Sequence, residues 1–336
     1  MKKFNVAILG ATGAVGQEML KILVERNFPI NELHLLASAR SAGKVINVAG
    51  KDYVVEETKD DSFNGIDIVL GAAENDIALK FVPKAIEAGA VVVDNSSAYR
   101  LDENVPLVIP EVNPEDVKKH QGIIANPNCA TIIGLVALQP LNAYAKAKKM
   151  VVSTYQAVSG AGVGGIRELD EQIDAIKNGK DFDVKTFQYQ IAYNLIPQIG
   201  GFNEIGYSSE EMKMQNEGRK ILGNPDLCVN CTCVRVPIYR SHSESIMVEF
   251  ENEISVEKAR ELLKDAPGVK LMDDPNNKVY PMPLDTTDQD LVFVGRIRKD
   301  LSGHNNALSF FCCGDQVRKG AATNAVQIAE LVIETL

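Results

Sequence analysis

There is no tryptophan in the 336 residues, and there are only six cysteines and four histidines. Six cysteines are too few for a disulfide-dense secreted scaffold. No apolar run approaches the roughly 20 residues that a membrane span needs. An excess of basic charge is also missing: 35 Lys and Arg against 45 Asp and Glu leave a net −10. A general nucleic-acid surface usually needs a basic face, so that class is excluded. Net charge does not exclude a local site for a small anion. Met1-Lys2-Lys3-Phe4 could open a secretory signal, but Asn5, Gly10, Thr12 and Gly13 break the apolar stretch. The expectation is a soluble protein of a reducing cytoplasm, with no membrane or nucleic-acid partner.

Apolar residues make up 45% of the chain, ordinary for a globular protein. The length favours two domains over one. The first half alternates short apolar runs with helix-period segments. Residues 5–9, 33–37, 66–70 and 90–93 read as strands, and 14–25 and 78–88 as helices. That alternation predicts a parallel sheet with helices on its faces. Residues 44–57 break the rhythm and predict an added hairpin. In the second half, 149–158, 229–239, 244–251, 291–298 and 307–313 read as strands with few helices between them. This predicts a mixed, largely antiparallel sheet. Residues 164–177 read as a helix, and 208–221 as another, opening with Ser208 as its cap before Glu210 and Glu211. A turn-rich stretch covers 181–206, and 319–336 is a closing helix.

Gly10-Ala11-Thr12-Gly13-Ala14-Val15-Gly16 sits between the first strand and the first helix, where a dinucleotide fingerprint belongs. Gly10 allows the tight turn, Gly13 lets backbone N–H groups approach a pyrophosphate, and Gly16 permits close helix–strand packing. The spacing is G-x-x-G-x-x-G rather than G-x-G-x-x-G. NAD binders usually place Asp or Glu at the tip of the second strand. Here that tip reads Ala37-Ser38-Ala39-Arg40-Ser41. An Arg and two hydroxyls suit a 2′-phosphate, which favours NADP; the competing reading makes Arg40 a solvated loop charge.

In Asn126-Pro127-Asn128-Cys129-Ala130-Thr131, Pro127 and the two Asn mark a turn, and an apolar helix follows. Cys129 therefore stands at a helix N-terminus, which stabilises a thiolate. The plainer alternative is a buried small hydrophobe.

These motifs, with several later ones, resemble aspartate-semialdehyde dehydrogenase over essentially the whole chain, at the length of its shorter bacterial forms. The resemblance implies an α/β protein. Residues 1–128 form an NADP-binding Rossmann domain, with 316–336 returning to it, and 129–315 form an α+β catalytic and dimerisation domain. It implies a homodimer. It also implies reversible reduction of β-aspartyl phosphate by NADPH to aspartate β-semialdehyde with release of inorganic phosphate, toward lysine, threonine and methionine.

By the same resemblance, Cys129 matches the nucleophile that forms the acyl-thioester and His242 the general acid/base. Arg235 matches the clamp on the substrate carboxylate, and Gln156 a residue that orients the substrate. Glu210 matches the acid that receives the substrate amino group, with the adjacent Glu211 competing for that role. Arg100 and Lys213 match the phosphate pocket. Ser159, Gly160 and Gln316 match the nicotinamide pocket. Thr12, Gly13, Ala14 and Val15 match the pyrophosphate loop, and Arg40 and Ser41 the 2′-phosphate site, where Ser38 competes with Arg40.

Cys228, Cys231, Cys233, Cys312 and Cys313 invite a metal reading, but C-x-x-C-x-C without a nearby His is poor zinc spacing. No metal is expected. His34, His120 and His304 are read as structural or solvated, with His304 in a turn between strands. The rival enzyme is N-acetyl-γ-glutamyl-phosphate reductase; Pro127-Asn128-Cys129 and Glu210-Glu211-Met212-Lys213 favour the aspartyl substrate. Glyceraldehyde-3-phosphate dehydrogenase usually carries its cysteine as Ser-Cys-Thr-Thr. A non-catalytic NADP-binding sensor is the reading from another class, and the intact Cys129, His242 and Arg235 set argues against it.

Overall fold

A computed structural model describes residues 2–302 and 306–335; His304 lies outside the described residues. The chain divides into two compact units, Met1–Asn128 with Ala321–Leu336, and Cys129–Gly320. Residues 316–320 thus lie in the second unit, not with the returning segment.

The first unit is built on a seven-stranded sheet in the order β3-β4-β2-β1-β5-β6-β7. Its strands are β1 (Phe4–Leu9), β2 (Ile30–Ala37), β3 (Val45–Val48), β4 (Lys51–Glu57), β5 (Ile68–Gly71), β6 (Val91–Asp94) and β7 (Ile123–Ala125). All neighbours run parallel except β3 against β4. The predicted hairpin therefore forms, and β4 joins the sheet edge alongside β2. Strands β5 and β6 are buried at every residue, as expected where helices cover both faces. Helix α1 (Ala14–Glu25) sends Met19, Leu20, Ile22 and Leu23 into the core. Helix α2 is Asn75–Glu87. The core that α1 shares with Val6, Ile8, Ile68 and Leu70 also takes Ala325, Val326 and Val332 of the final helix.

The second unit has a six-stranded sheet in the order β11-β12-β13-β10-β8-β9. Its strands are β8 (Ala147–Gln156), β9 (Cys228–Arg235), β10 (His242–Phe250), β11 (Val269–Leu271), β12 (Val292–Lys299) and β13 (Ala307–Gly314). Three of its five pairings are antiparallel. Helix α3 (Cys129–Ala145) is apolar nearly all round and buried along most of its length, the pattern of a core helix. It packs on β10, β12, β13 and β8. Alternate residues of β8 and β10 point under it and are buried; those between are partly exposed. Helices α4 (Gly162–Lys177), α5 (Ser209–Ile221), α6 (Val256–Lys264) and α7 (Pro283–Thr286) complete the unit.

The closing helix departs from expectation. Residues Arg318–Ala322 form a π-helical turn, and regular helix α8 runs only from Thr323 to Ile333.

Candidate active site

At the carboxyl end of β1, Gly10 adopts φ +90, and a Cβ there would lie 2.5 Å from the Ala72 carbonyl. A Cβ on Gly16 would collide with the Gly10 carbonyl, so α1 starts tight against the turn. Gly13 is the N-cap and offers no side-chain cap. Thr12, Gly13 and Ala14 are exposed and Val15 half-exposed. The N-terminal N–H groups of α1 thus face outward, as a pyrophosphate site requires. A cavity of about 360 Å³ beside this turn is lined by Gly10, Thr12, Gly13, Ser38, Glu57 and Thr58, among others. Arg40 is exposed and Ser41 buried on the turn after β2. The glycine cradle and the absence of an acid at the β2 tip fit an NADP-type dinucleotide. Thr58 was not foreseen: it follows β4, and its hydroxyl and N–H both donate to the Ala37 carbonyl at 3.1 and 2.9 Å. Only the pairing of β4 beside β2 brings it there.

Also in the first unit, Arg100 is buried, its Nε donating to the Asn126 carbonyl and Nη2 to that of Asn95, each at 2.9 Å. Asn126 donates to Asn95 Oδ1 at 2.6 Å and accepts from Asn324 at 2.6 Å. Arg100 therefore braces the turn that leads to Cys129, besides carrying positive charge.

In the second unit, strand pairing makes a row. Gln156 lies opposite Arg235 on β9, and β10 opens at His242 beside it. All three are buried. Gln156 Nε2 donates to Glu210 Oε1 at 3.2 Å and stands 3.4 Å from His242 Nε2. Thr154 donates to Gln156 Oε1 at 3.0 Å, which fixes the amide. Arg235 Nη1 donates to the Ala157 carbonyl at 2.7 Å. The Ala157 N–H donates to His242 Nδ1 at 3.1 Å, so the neutral ring carries its proton on Nε2. Gly160 is what lets these groups close up. A Cβ there would sit 2.7 Å from Arg235 Nη1 and 3.3–3.4 Å from two atoms of the His242 ring.

The electrostatics follow from that crowding. Burial, then the Arg235 charge, push the His242 pKa down to about 3. Burial lowers that of Arg235, opposed first by Glu210 and then by Cys129. Half-buried Cys129 thus stands near enough to the guanidinium to act on its charge, at the first residue of α3. A cation and a helix N-terminus both favour thiolate.

Helix capping separates the two candidate acids. Glu211 closes a capping box with Ser208 and accepts the Cys233 N–H at 3.0 Å. Glu210 points elsewhere, to Gln156 and to Lys213 Nζ at 2.9 Å. Ser159 Oγ accepts from Gln316 Nε2, and Gln316 Oε1 accepts the Ser241 N–H at 2.8 Å. Cys231 and Cys233 are buried with their sulfurs 3.7 Å apart. Among the described residues no group of three His, Cys, Asp or Glu is placed to hold a metal ion, and no helix is long and apolar enough to cross a membrane.

Family models match both units: "Semialdehyde dehydrogenase, NAD binding domain" over residues 5–120 and "Semialdehyde dehydrogenase, dimerisation domain" over 138–319. An aspartate-semialdehyde dehydrogenase of Aquifex aeolicus is 53% identical over 98% of each chain. The chain belongs to the aspartate-semialdehyde dehydrogenase family. Membership makes it an oxidoreductase with a nucleotide-binding and a dimerisation domain. A Vibrio cholerae aspartate semialdehyde dehydrogenase II, solved in complex with ASA, superposes with a TM-score of 0.97 at 45% identity, covering 99% of each chain. A Candida albicans aspartate semialdehyde dehydrogenase solved with NADP gives a TM-score of 0.77 at 27% identity over 98% of each chain.

Proposed function

We propose that this family member catalyses the reversible reductive dephosphorylation of L-aspartyl-4-phosphate to L-aspartate-4-semialdehyde, with NADPH as reductant and Cys129 as the acylated residue. The observation that carries the residue roles is the buried row of Arg235, Gln156 and His242 closed against Gly160, with Cys129 within electrostatic reach.

Arg235 holds the substrate carboxylate, since its planar fork matches two carboxylate oxygens. Glu210 receives the amino group, and its bond to Gln156 sets the angle at which Gln156 meets the substrate. The Cys129 thiolate attacks the acyl carbon, the C–O bond to phosphate breaks, and a thioester forms. Arg100 and Lys213 supply the positive charge that stabilises the departing phosphate. When bound, the reduced nicotinamide supplies the hydride to the thioester carbon. The neutral His242 ring donates its Nε2–H as a hydrogen bond to the oxygen that gains charge in each tetrahedral intermediate and keeps that proton while the oxygen returns to a carbonyl. Collapse of the second intermediate expels the Cys129 thiolate and releases aldehyde. Gly10, Thr12, Gly13, Ala14 and Val15 hold the pyrophosphate, Ser38, Arg40 and Ser41 the 2′-phosphate, and Ser159, Gly160 and Gln316 the nicotinamide. The reading includes inorganic phosphate as the only other small-molecule partner, no nucleic acid, and a cytoplasmic setting. The partly exposed face of the second sheet, where the Tyr155 and Phe311 rings lie 6.3 Å apart between centroids and tilted by 38°, suits a homodimer contact.

With aspartate β-semialdehyde and NADP, absorbance of NADPH should rise only when phosphate is added, and Cys129→Ala should abolish the rise. N-acetylglutamate semialdehyde in the same assay should give none. Tight NADP binding without turnover on either aldehyde would overturn the proposal in favour of a sensor.

A further inference from the structure

Ser241 adopts φ +73, a left-handed backbone that a residue with a Cβ seldom takes unless its surroundings hold it there. It immediately precedes His242, so whatever holds Ser241 also sets where the ring begins. Its N–H donates to Gln316 Oε1 at 2.8 Å, and its hydroxyl lies 3.3 Å from that of Thr287. Asp288, also left-handed at φ +61, donates its N–H to Asp315 Oδ2 at 2.7 Å. Arg240, on the other side of Ser241, places Nε 2.7 Å from the same Oδ2, as an ion pair rather than an aligned hydrogen bond, and Nη1 2.8 Å from Asp288 Oδ1.

Asp315 is fully buried. Its other oxygen, Oδ1, accepts the N–H groups of Val317 and Arg318 at 2.9 and 3.1 Å. Its carbonyl accepts the Gly320 N–H at 3.0 Å. Gly320 lies against the candidate nucleophile, and a Cβ there would be 2.9 Å from the Cys129 Cβ. One carboxylate thus grips the approach to His242 with one oxygen and winds the turn that abuts Cys129 with the other.

We propose that Asp315 is a positioning residue that sets the Cys129 thiol against the His242 ring through this two-sided grip. The inference rests on the reading that Cys129 and His242 carry the chemistry. Reacting groups displaced by about 1 Å lose on the order of 100-fold in rate, so a grip that fixes both of them acts on turnover before it acts on binding.

Asp315→Asn keeps the size of the side chain and removes the charge that faces Arg240. It should lower kcat about 10- to 100-fold, leave KM for aldehyde and NADP within about twofold, and leave the folded fraction unchanged. A double-mutant cycle with His242→Asn supplies the readout that a merely structural role would not move. If Asp315 acts through the Cys129–His242 geometry, its loss should be smaller in the His242→Asn background than in wild type, because only the Cys129 side of the grip is left to disturb. Losses that multiply, or a wild-type kcat in folded Asp315→Asn, would overturn the proposal. Should Asp315→Asn not fold, Arg240→Met tests the same grip from its more exposed partner. It should lose kcat with KM kept, and Arg240→Lys should recover part of the loss; a wild-type kcat in Arg240→Met overturns the proposal. Inactive wild type, or active Cys129→Ala, would instead sink the assignment of the chemistry itself.

Discussion

Two causes hold the His242 pKa near 3, burial first and the Arg235 charge second, and substrate binding acts on the second. A carboxylate on Arg235 cancels much of that positive charge, so the ring should accept a proton more readily in the complex than in the free enzyme. The pKa read from the pH profile of kcat should therefore lie above that read from kcat/KM. Profiles taken over pH 2.5–7, a range that spans the value of about 3, check this, and coincident values would contradict the placement of the carboxylate on Arg235. Gly160 gives a steric counterpart. A methyl group there would press on Arg235 Nη1 and on the His242 ring. Gly160→Ala should cost on the order of 100-fold in kcat/KM with little change in melting temperature. In the sequence Gln156, Arg235 and His242 stand far apart as single residues, and it is the strand pairing that sets them in one row. The choice between Glu210 and Glu211 was not legible. It depends on which carboxylate the helix cap takes, and that is a matter of geometry around Ser208.

Helix α5 carries Glu210 and Lys213, and its start is fixed by the reciprocal bonds of Ser208 and Glu211. Removing the cap should loosen the first turn. Ser208→Ala should cost about 0.5–2 kcal/mol of stability and raise KM for the aldehyde, since Glu210 lies in that turn; denaturant melts and initial rates measure the two effects. Strong periodicity marks the ends of an element well: the apolar pattern over 14–25 coincides with α1. The ends of other elements are not so marked. The strand expected to reach Tyr239 stops at Arg235, where its pairing with β8 ends at Gln156 and Pro237, which has no N–H to donate, follows. Strand β10 opens at His242, two residues earlier than its apolar pattern announced, because a buried polar residue does not read as part of a strand. Residues Arg318–Ala322 wind as a π turn rather than α-helix, and the buried carboxylate of Asp315 that anchors this turn has no signature in hydrophobic spacing. Strands β7 and β11, three residues each, are too short to carry a pattern, whereas helix α6 has both a Ser255 cap and a clear apolar face that the sequence reading passes over.

The net charge of −10 is a sum over every charged residue of the chain and says nothing of where each one lies. Arg100 and Arg235 are buried cations within an acidic protein, a local arrangement that a sum over the chain conceals. The interior also holds Glu244, fully buried on β10, with neither carboxylate oxygen bonded among the described residues and Oε2 2.7 Å from where a Cβ on Gly134 would lie. Met214 of α5 packs at the same spot, and Thr154, Cys233 and Cys312 share its row across the sheet. Burial, and secondarily Cys233, raise its pKa well above the usual carboxyl value of 4.5. The two buried groups tie stability to pH in opposite directions. His242 binds its proton less readily folded than unfolded, so its contribution is lost as pH falls below 6.5 toward 3. Glu244 keeps its proton folded where the unfolded chain releases it, so its contribution is full below 4.5 and is lost as pH rises above that. Glu244→Gln removes the second dependence and leaves the first. The stability of this variant relative to wild type should therefore grow with pH above 4.5, by about 1.4 kcal/mol per pH unit while the folded carboxyl remains protonated. Paired denaturant melts at pH 5, 6 and 7 measure the difference. A gap that stays constant across the three would mean that Glu244 is ionised in the folded protein.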